Sequence, residues 1–175
     1  MIDPKQHADN RGVIESILRY IPGFSGYLEK EYRRESDALA RTWLADRLDR
    51  SKKSLDDYGR NLVDMGQIDQ LAVIDRLRAR LDQTIGKLRG AMPGYSGFFD
   101  FVQVADDQLD DVYDHDMSLI SQVDEFAAKM EGLPTSSETP AVAIPDLLNR
   151  IDGVLQQIND REDLLKGLAS NPPSQ

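Results

Sequence analysis

Residues 98–130, FFDFVQVADDQLDDVYDHDMSLISQVDEFAAKM, decide the fold class. Stepped at about 100° per residue, Phe98, Val102, Ala105, Leu109, Val112, Tyr113, Ile120 and Val123 fall on one stripe. That spacing predicts an amphipathic helix from about Phe98 to Met130. The segments on either side read the same way. Val13, Ile14, Ile17, Leu18 and Ile21 predict a short helix, with Asp9 or Asn10 as its N-cap. A long helix is expected from about Tyr27 to Tyr58, continuing to about Met65 with a break at Gly66, and another from about Ile68 to Arg89. No stretch alternates apolar and polar residues for long enough to predict a strand. The fold class is all-α, and long helices joined by short turns imply an antiparallel helical bundle.

Residues 132–145 change character. Pro134, Pro140 and Pro145 flank a Thr/Ser/Glu run, which reads as a semi-extended linker. Leu148, Ile151, Leu155, Ile158 and Leu165 then form a heptad-like seam, interrupted by Glu162, on a final amphipathic helix over 146–169. The expected organisation is a bundle over 1–131, with repeats at about 20–65 and 91–130, a linker over 132–145, the C-terminal helix, and a frayed tail over 170–175.

The repeats rest on two breaks that are near copies. Ile21-Pro22-Gly23-Phe24-Ser25-Gly26-Tyr27 matches Met92-Pro93-Gly94-Tyr95-Ser96-Gly97-Phe98 at an offset of 71. At an offset of 70, Asp37, Leu39, Trp43 and Asp46 match Asp107, Leu109, Tyr113 and Asp116. This predicts two helical hairpins related by an approximate two-fold axis. Each turn has a structural reading. Pro22 and Pro93 cannot continue the preceding helix. Gly23, Gly26, Gly94 and Gly97 permit left-handed backbone or close approach. Ser25 and Ser96 can cap the next helix, while the aromatics staple the turn to the bundle end. A glycine-rich turn before a helix can also hold an anion, but PGxSG lacks the longer loop and lysine of a P-loop.

The stretch PGFSGYLEKEYRRESDALAR with the later PGYSGFFD resembles a set of bacterial helical proteins of unknown function with a duplicated PGxSG[YF] elbow. In them a similar elbow precedes an E-x-x-R-R-E-x-D-x-L-x-R helix, represented here around Glu31, Arg34, Glu35, Asp37, Leu39 and Arg41. The resemblance covers roughly residues 20–125. It implies a helical fold and a shared elbow, and carries no activity, cofactor or catalytic residue.

Composition bounds the function. The chain has 175 residues, with 21 basic against 31 acidic side chains and a net charge of -10. That balance argues against nucleic acid and against anionic lipid. There are no cysteines and only two histidines, His7 and His115, so thiolate chemistry and multi-histidine metal sites are set aside. The polar N-terminus carries no charged-then-apolar leader pattern, no apolar run approaches membrane-spanning length, and the expected location is cytoplasmic. The motifs of common hydrolases, metalloproteases and nucleotide-binding enzymes do not occur. The sequence therefore points away from an enzyme, names no catalytic residue and implies no cofactor.

Charged residues supply the remaining candidates. Asp116 falls in the middle of the apolar stripe of 98–130. The same rule puts Leu28, Tyr32, Leu39 and Trp43 on one face of the first copy, with Asp46 on it. Both carboxylates are expected to point inward, where each needs an arginine, a tyrosine, a metal ion or a proton. Residues 98–131 hold ten acidic side chains and one basic, whereas 60–89 hold six basic and four acidic. Ion pairs between the helices follow as the favoured solution, with Arg34 and Arg41 as partners for Asp46 and Asp116. Asp111 and His115, four apart on a helix, could share a cation with Asp46 or Asp116. The opposing reading is a solvated acidic face, since neither an EF-hand loop nor an E-x-x-H motif is present.

Three functions are then in competition. The first is a non-enzymatic interaction or scaffold protein that binds a protein partner or itself through the C-terminal helix. The second is a bundle holding a divalent metal ion or small ligand through inward carboxylates. The third is peripheral membrane association through the first helix, disfavoured by the net negative charge.

Overall fold

The computed structural model describes residues 4–27, 29–90 and 106–170. Among them are five α-helices and no strand: α1 (Pro4–Tyr20), α2 (Lys30–Asp64), α3 (Leu71–Gly90), α4 (Asp106–Gly132) and α5 (Pro140–Ser170). Single 3-10 turns, Ile68–Gln70 and Leu133–Thr135, precede α3 and follow α4. The expected all-α bundle is what the chain forms. No described helix is long and apolar enough to cross a membrane.

The α2–α3 turn shows why the helix stops where the sequence says it should. Gly66 has φ +73°, a left-handed conformation that costs glycine nothing. The Gln67 N–H bonds the Leu62 carbonyl at 2.8 Å and the Gly66 N–H bonds the Val63 carbonyl at 2.9 Å. Together these make a Schellman closure, which satisfies carbonyls that the helix end leaves open.

Helix α2 packs on α3 and α4, α5 packs on the same two, and α1 lies against α4. Ion pairs set the directions. Lys52–Asp82 and Arg78–Asp56 join α2 to an antiparallel α3. Lys129–Asp146 and Arg161–Asp116 join α4 to an antiparallel α5. Arg161 holds Asp37 of α2 beside Asp116 of α4, and further along Arg47 reaches Asp124 and Glu131, so those two helices run parallel as neighbours. Two hairpins therefore stand side by side. The start of the second expected repeat, residues 91–105, lies outside the described residues.

The core is apolar along the whole bundle, with Leu48, Leu55, Leu77, Leu81, Leu119, Val123, Phe126 and Ile151 among its members. The C-terminal helix belongs to it. Ile144, Leu147, Ile151, Val154, Ile158 and Leu165 are buried on the chain's own bundle, each burial contributing about 1.5–3 kcal/mol against exposure. The expected linker over 132–145 shrinks to the four residues 136–139 between the 3-10 turn and α5. Pro140 sits at the first position of α5, where its missing N–H is no loss. Pro145 lies inside the helix on its exposed side.

Candidate functional site

The elbow at residues 21–27 ends α1 and sets the start of α2. Gly23 and Gly26 have φ +87° and +98°, which only glycine adopts without strain. A Cβ on Gly26 would stand 2.7 Å from the Tyr113 hydroxyl oxygen of α4. The backbone therefore touches the bundle directly. Ser36, one turn into α2 and buried, accepts from the Ser25 N–H at 3.2 Å and the Gly26 N–H at 3.0 Å. The Tyr113 hydroxyl accepts from the Tyr27 N–H, and the Arg33 Nε–H donates to the Tyr27 carbonyl at 2.6 Å. Phe24 and Tyr27 are buried, with Tyr27 stacked on Tyr113 at 5.1 Å and edge-on to Phe24 at 5.2 Å.

The staple reading of the first elbow holds in this geometry, and the amides that could have held an anion are engaged by the chain's own hydroxyls. Ser25 does not cap α2. Its hydroxyl turns back to the Gly23 carbonyl at 3.4 Å, and the residue before the helix is Glu29, four positions later. Pro22 is exposed. The second copy, Pro93, Gly94, Ser96 and Gly97, lies outside the described residues.

Below the elbow, three charges meet in the interior. Asp37 of α2, Asp116 of α4 and Arg161 of α5 are 5%, 3% and 9% exposed, in the class of core residues. Arg161 grips Asp116 with two parallel bonds, Nε–H to Oδ1 at 2.6 Å and Nη2–H to Oδ2 at 3.0 Å. Nη2 also donates to Asp37 Oδ1 at 2.8 Å. The Tyr27 hydroxyl donates to Asp116 Oδ2 at 2.9 Å, tying the elbow to the same carboxylate. Arg41 Nε–H reaches the other oxygen of Asp37 at 2.9 Å. Three helices and the elbow are thus joined through one planar guanidinium, whose fork matches a carboxylate.

The electrostatics follow from that packing. Burial alone would raise the Asp116 carboxyl; the Arg161 charge and the bonds from its partners outweigh it and hold the group down at about 2. Burial and then the Asp116 charge push the Tyr27 phenol well up, so it stays a neutral donor. Burial would lower Arg161, and the Asp116 and Asp37 charges more than reverse it. Asp116, Tyr27 and Arg161 are each held in one protonation state across neutral pH. None is poised for proton transfer, which needs a value near the working pH.

Beside this cluster a narrow cavity of about 40 Å³ lies among all four bundle helices, lined by Leu44, Lys87, Leu119, Ile158 and Arg161 among others. Such a space admits a few ordered waters at most, well below the several hundred Å³ of a small-molecule site.

The sequence-predicted residues separate. Asp116 points inward and its cation is an arginine. Asp46 does not point inward: its side chain is 50% exposed and pairs with Arg89 at 3.1 Å. The aromatic stripe that led to Asp46 faces α1, where Trp43 meets Tyr20 edge-on at 5.6 Å; the bundle core lies on the face carrying Ala40, Leu44 and Leu48. Arg41 pairs with Asp37 rather than with Asp46 or Asp116, and Arg34 sits on the exposed side of α2. Asp111 is exposed. His115 is half-buried, its Nδ1 3.9 Å from Asp116 Oδ1, outside hydrogen-bond range. Among the described residues no three His, Asp or Glu side chains converge to hold a metal ion.

Arg161 and Asp37 are the members that sequence reading missed as a pair with Asp116. The signal was present. Positions 144, 147, 151, 154, 158, 161 and 165 step by three and four, so Arg161 occupies a core position of the true seam. Comparison with family models, curated proteins and solved structures returns no match.

Proposed function

We propose that this chain is a non-enzymatic helical-bundle interaction protein that works through the turn end of the bundle. The observation that carries this reading is a concentration of exposed aliphatic side chains. Met65 is 62%, Ile68 63% and Val63 49% exposed around the α2–α3 turn. Val142, 61% exposed at the start of α5, lies at the same end, because Arg80–Asp152 and Lys87–Glu162 set α5 parallel to α3 with their starts side by side. Clustered apolar exposure is characteristic of a surface that another protein covers. The inward charges fit the same reading, since Asp37 and Asp116 are bonded by Arg161 within the fold. The seam of α5 is buried within the chain, which moves the proposed contact from that helix to the turn end.

The test is chemical cross-linking and affinity capture from the source cells with the full chain and with a Met65→Glu/Ile68→Glu variant. Both positions are exposed, so the variant melts with the wild type. Protein retained by the wild type and lost by the variant is the expected result. Equal retention by both, or none by either, overturns the proposal.

A further inference from the structure

Next to the turn, α2 and α3 leave an open groove of about 430 Å³. Gly59, which has no side chain, lowers its floor onto Ile74, and Val63 and Leu71 extend that floor towards the exposed Met65 and Ile68. Four charges form the rims: Asp56 and Arg60 on α2, Asp75 and Arg78 on α3. The helices are antiparallel, and Arg78 bonds Asp56 across the groove. Arg60 therefore lies level with Asp75, both strongly exposed, at 72% and 71% of their side chains, and each is also paired along its own helix, Arg60 with Asp57 and Asp75 with Arg78.

The signs alternate along each rim and across the groove. This pattern sums to zero, so it offers no net field to select a charged partner of another kind. It does complement itself. A copy turned by 180° about an axis running along the groove lays its Asp75 on Arg60 and its Arg78 on Asp56. Isologous pairing requires such self-complementarity, because one patch must serve as both surfaces.

We infer that the occupant of this face is a second copy of the same chain, docked groove to groove about this axis, with Val63, Met65 and Ile68 meeting at the turn end. The inference rests on the interaction reading above and names its partner. The contact is confined to this groove and the three turn residues, so the association is weak and reversible.

Sedimentation equilibrium on the full chain, from low micromolar to about 1 mM, tests it. The mass is expected to rise from 19.7 kDa towards twice that value. Arg60→Glu opposes like charges at two symmetric places and is expected to weaken dimerisation by about 10-fold or more. The swap Arg60→Glu/Asp75→Arg restores the opposition of signs and brings association back to within about 3-fold of wild type. Circular dichroism checks that each variant is folded. A mass of one chain throughout, or a dimer indifferent to Arg60→Glu, overturns the inference. A monomer that still captures another protein in the cross-linking experiment would overturn only the self-pairing and leave the interaction reading standing.

Discussion

At the elbow end of the bundle charge is inside, and at the turn end apolar surface is outside. The first end encloses Asp37, Asp116 and Arg161 and satisfies them with one another, with Tyr27 and with Arg41. The second leaves Val63, Met65 and Ile68 in water above a groove with alternating rim charges. The contrast shows where this chain has finished its own chemistry and where it has not. Buried charge is tolerable only when matched within the fold, so the elbow end is a closed structural unit. The exposed aliphatic surface is covered by nothing among the described residues, which is why the proposed contact is placed at the turn end.

Substitutions should separate the two ends by the size of their effect on folding. The largest loss is expected for Arg161→Met, which leaves two carboxylates facing each other in the core. It should lower unfolding free energy by about 3–5 kcal/mol, read by urea titration; a loss under about 1 kcal/mol would show that water already solvates the cluster.

Gly26→Ala comes next, at about 2–3 kcal/mol, from the positive φ and the approach of the new Cβ to Tyr113. In a Tyr113→Phe background the same change should cost less, because the contacting oxygen is gone. Additive losses would mean that backbone strain, and not the contact, dominates.

Acid should find the elbow end through Asp116. Its folded value, about 2, is below its ordinary 3.8. The stabilisation is therefore complete above about pH 4–5 and is lost as pH falls towards 2, amounting to about 2 kcal/mol. Wild type should lose that much more stability than Asp116→Asn over this window, and nothing through this group between pH 5 and 8. Parallel acid profiles for the two proteins would break the assignment.

Ser36→Ala removes the acceptor of two elbow amides and should lower stability by about 1–2 kcal/mol, with faster hydrogen exchange at Ser25 and Gly26. At the other extreme, Ile68→Glu at the turn end should shift stability by no more than about 0.5 kcal/mol while removing self-association. Asp46→Asn, on the exposed side of α2, should leave the unfolding midpoint where it is.

Much of the fold was legible because helix periodicity, Gly66 and the Pro-Gly elbow are local signals. Asp116 was legible too, as a carboxylate on an apolar stripe. Asp46 was misread because a single face was assigned to a 35-residue helix that packs on more than one neighbour, and the aromatic stripe drew the eye to the side covered by α1. The breadth of the real core face depends on which helices surround α2. The length of the linker was overestimated for a related reason: proline at the first position of a helix looks like loop in sequence and is an ordinary helix start in space.

Sequence alone determined that the chain is helical, where α2 and α3 meet, and that an inward acid at position 116 needed a partner, be it an arginine, a tyrosine, a metal ion or a proton. Those are properties of neighbours along the chain, set by repeat spacing and by backbone freedom at glycine and proline. Tertiary structure alone decided that the counter-charge is Arg161, 45 positions away, that Asp37 rather than Asp46 shares it, and that the last helix closes the core. Partners so distant along the chain are chosen by how whole helices pack, because only packing decides which groups leave water together.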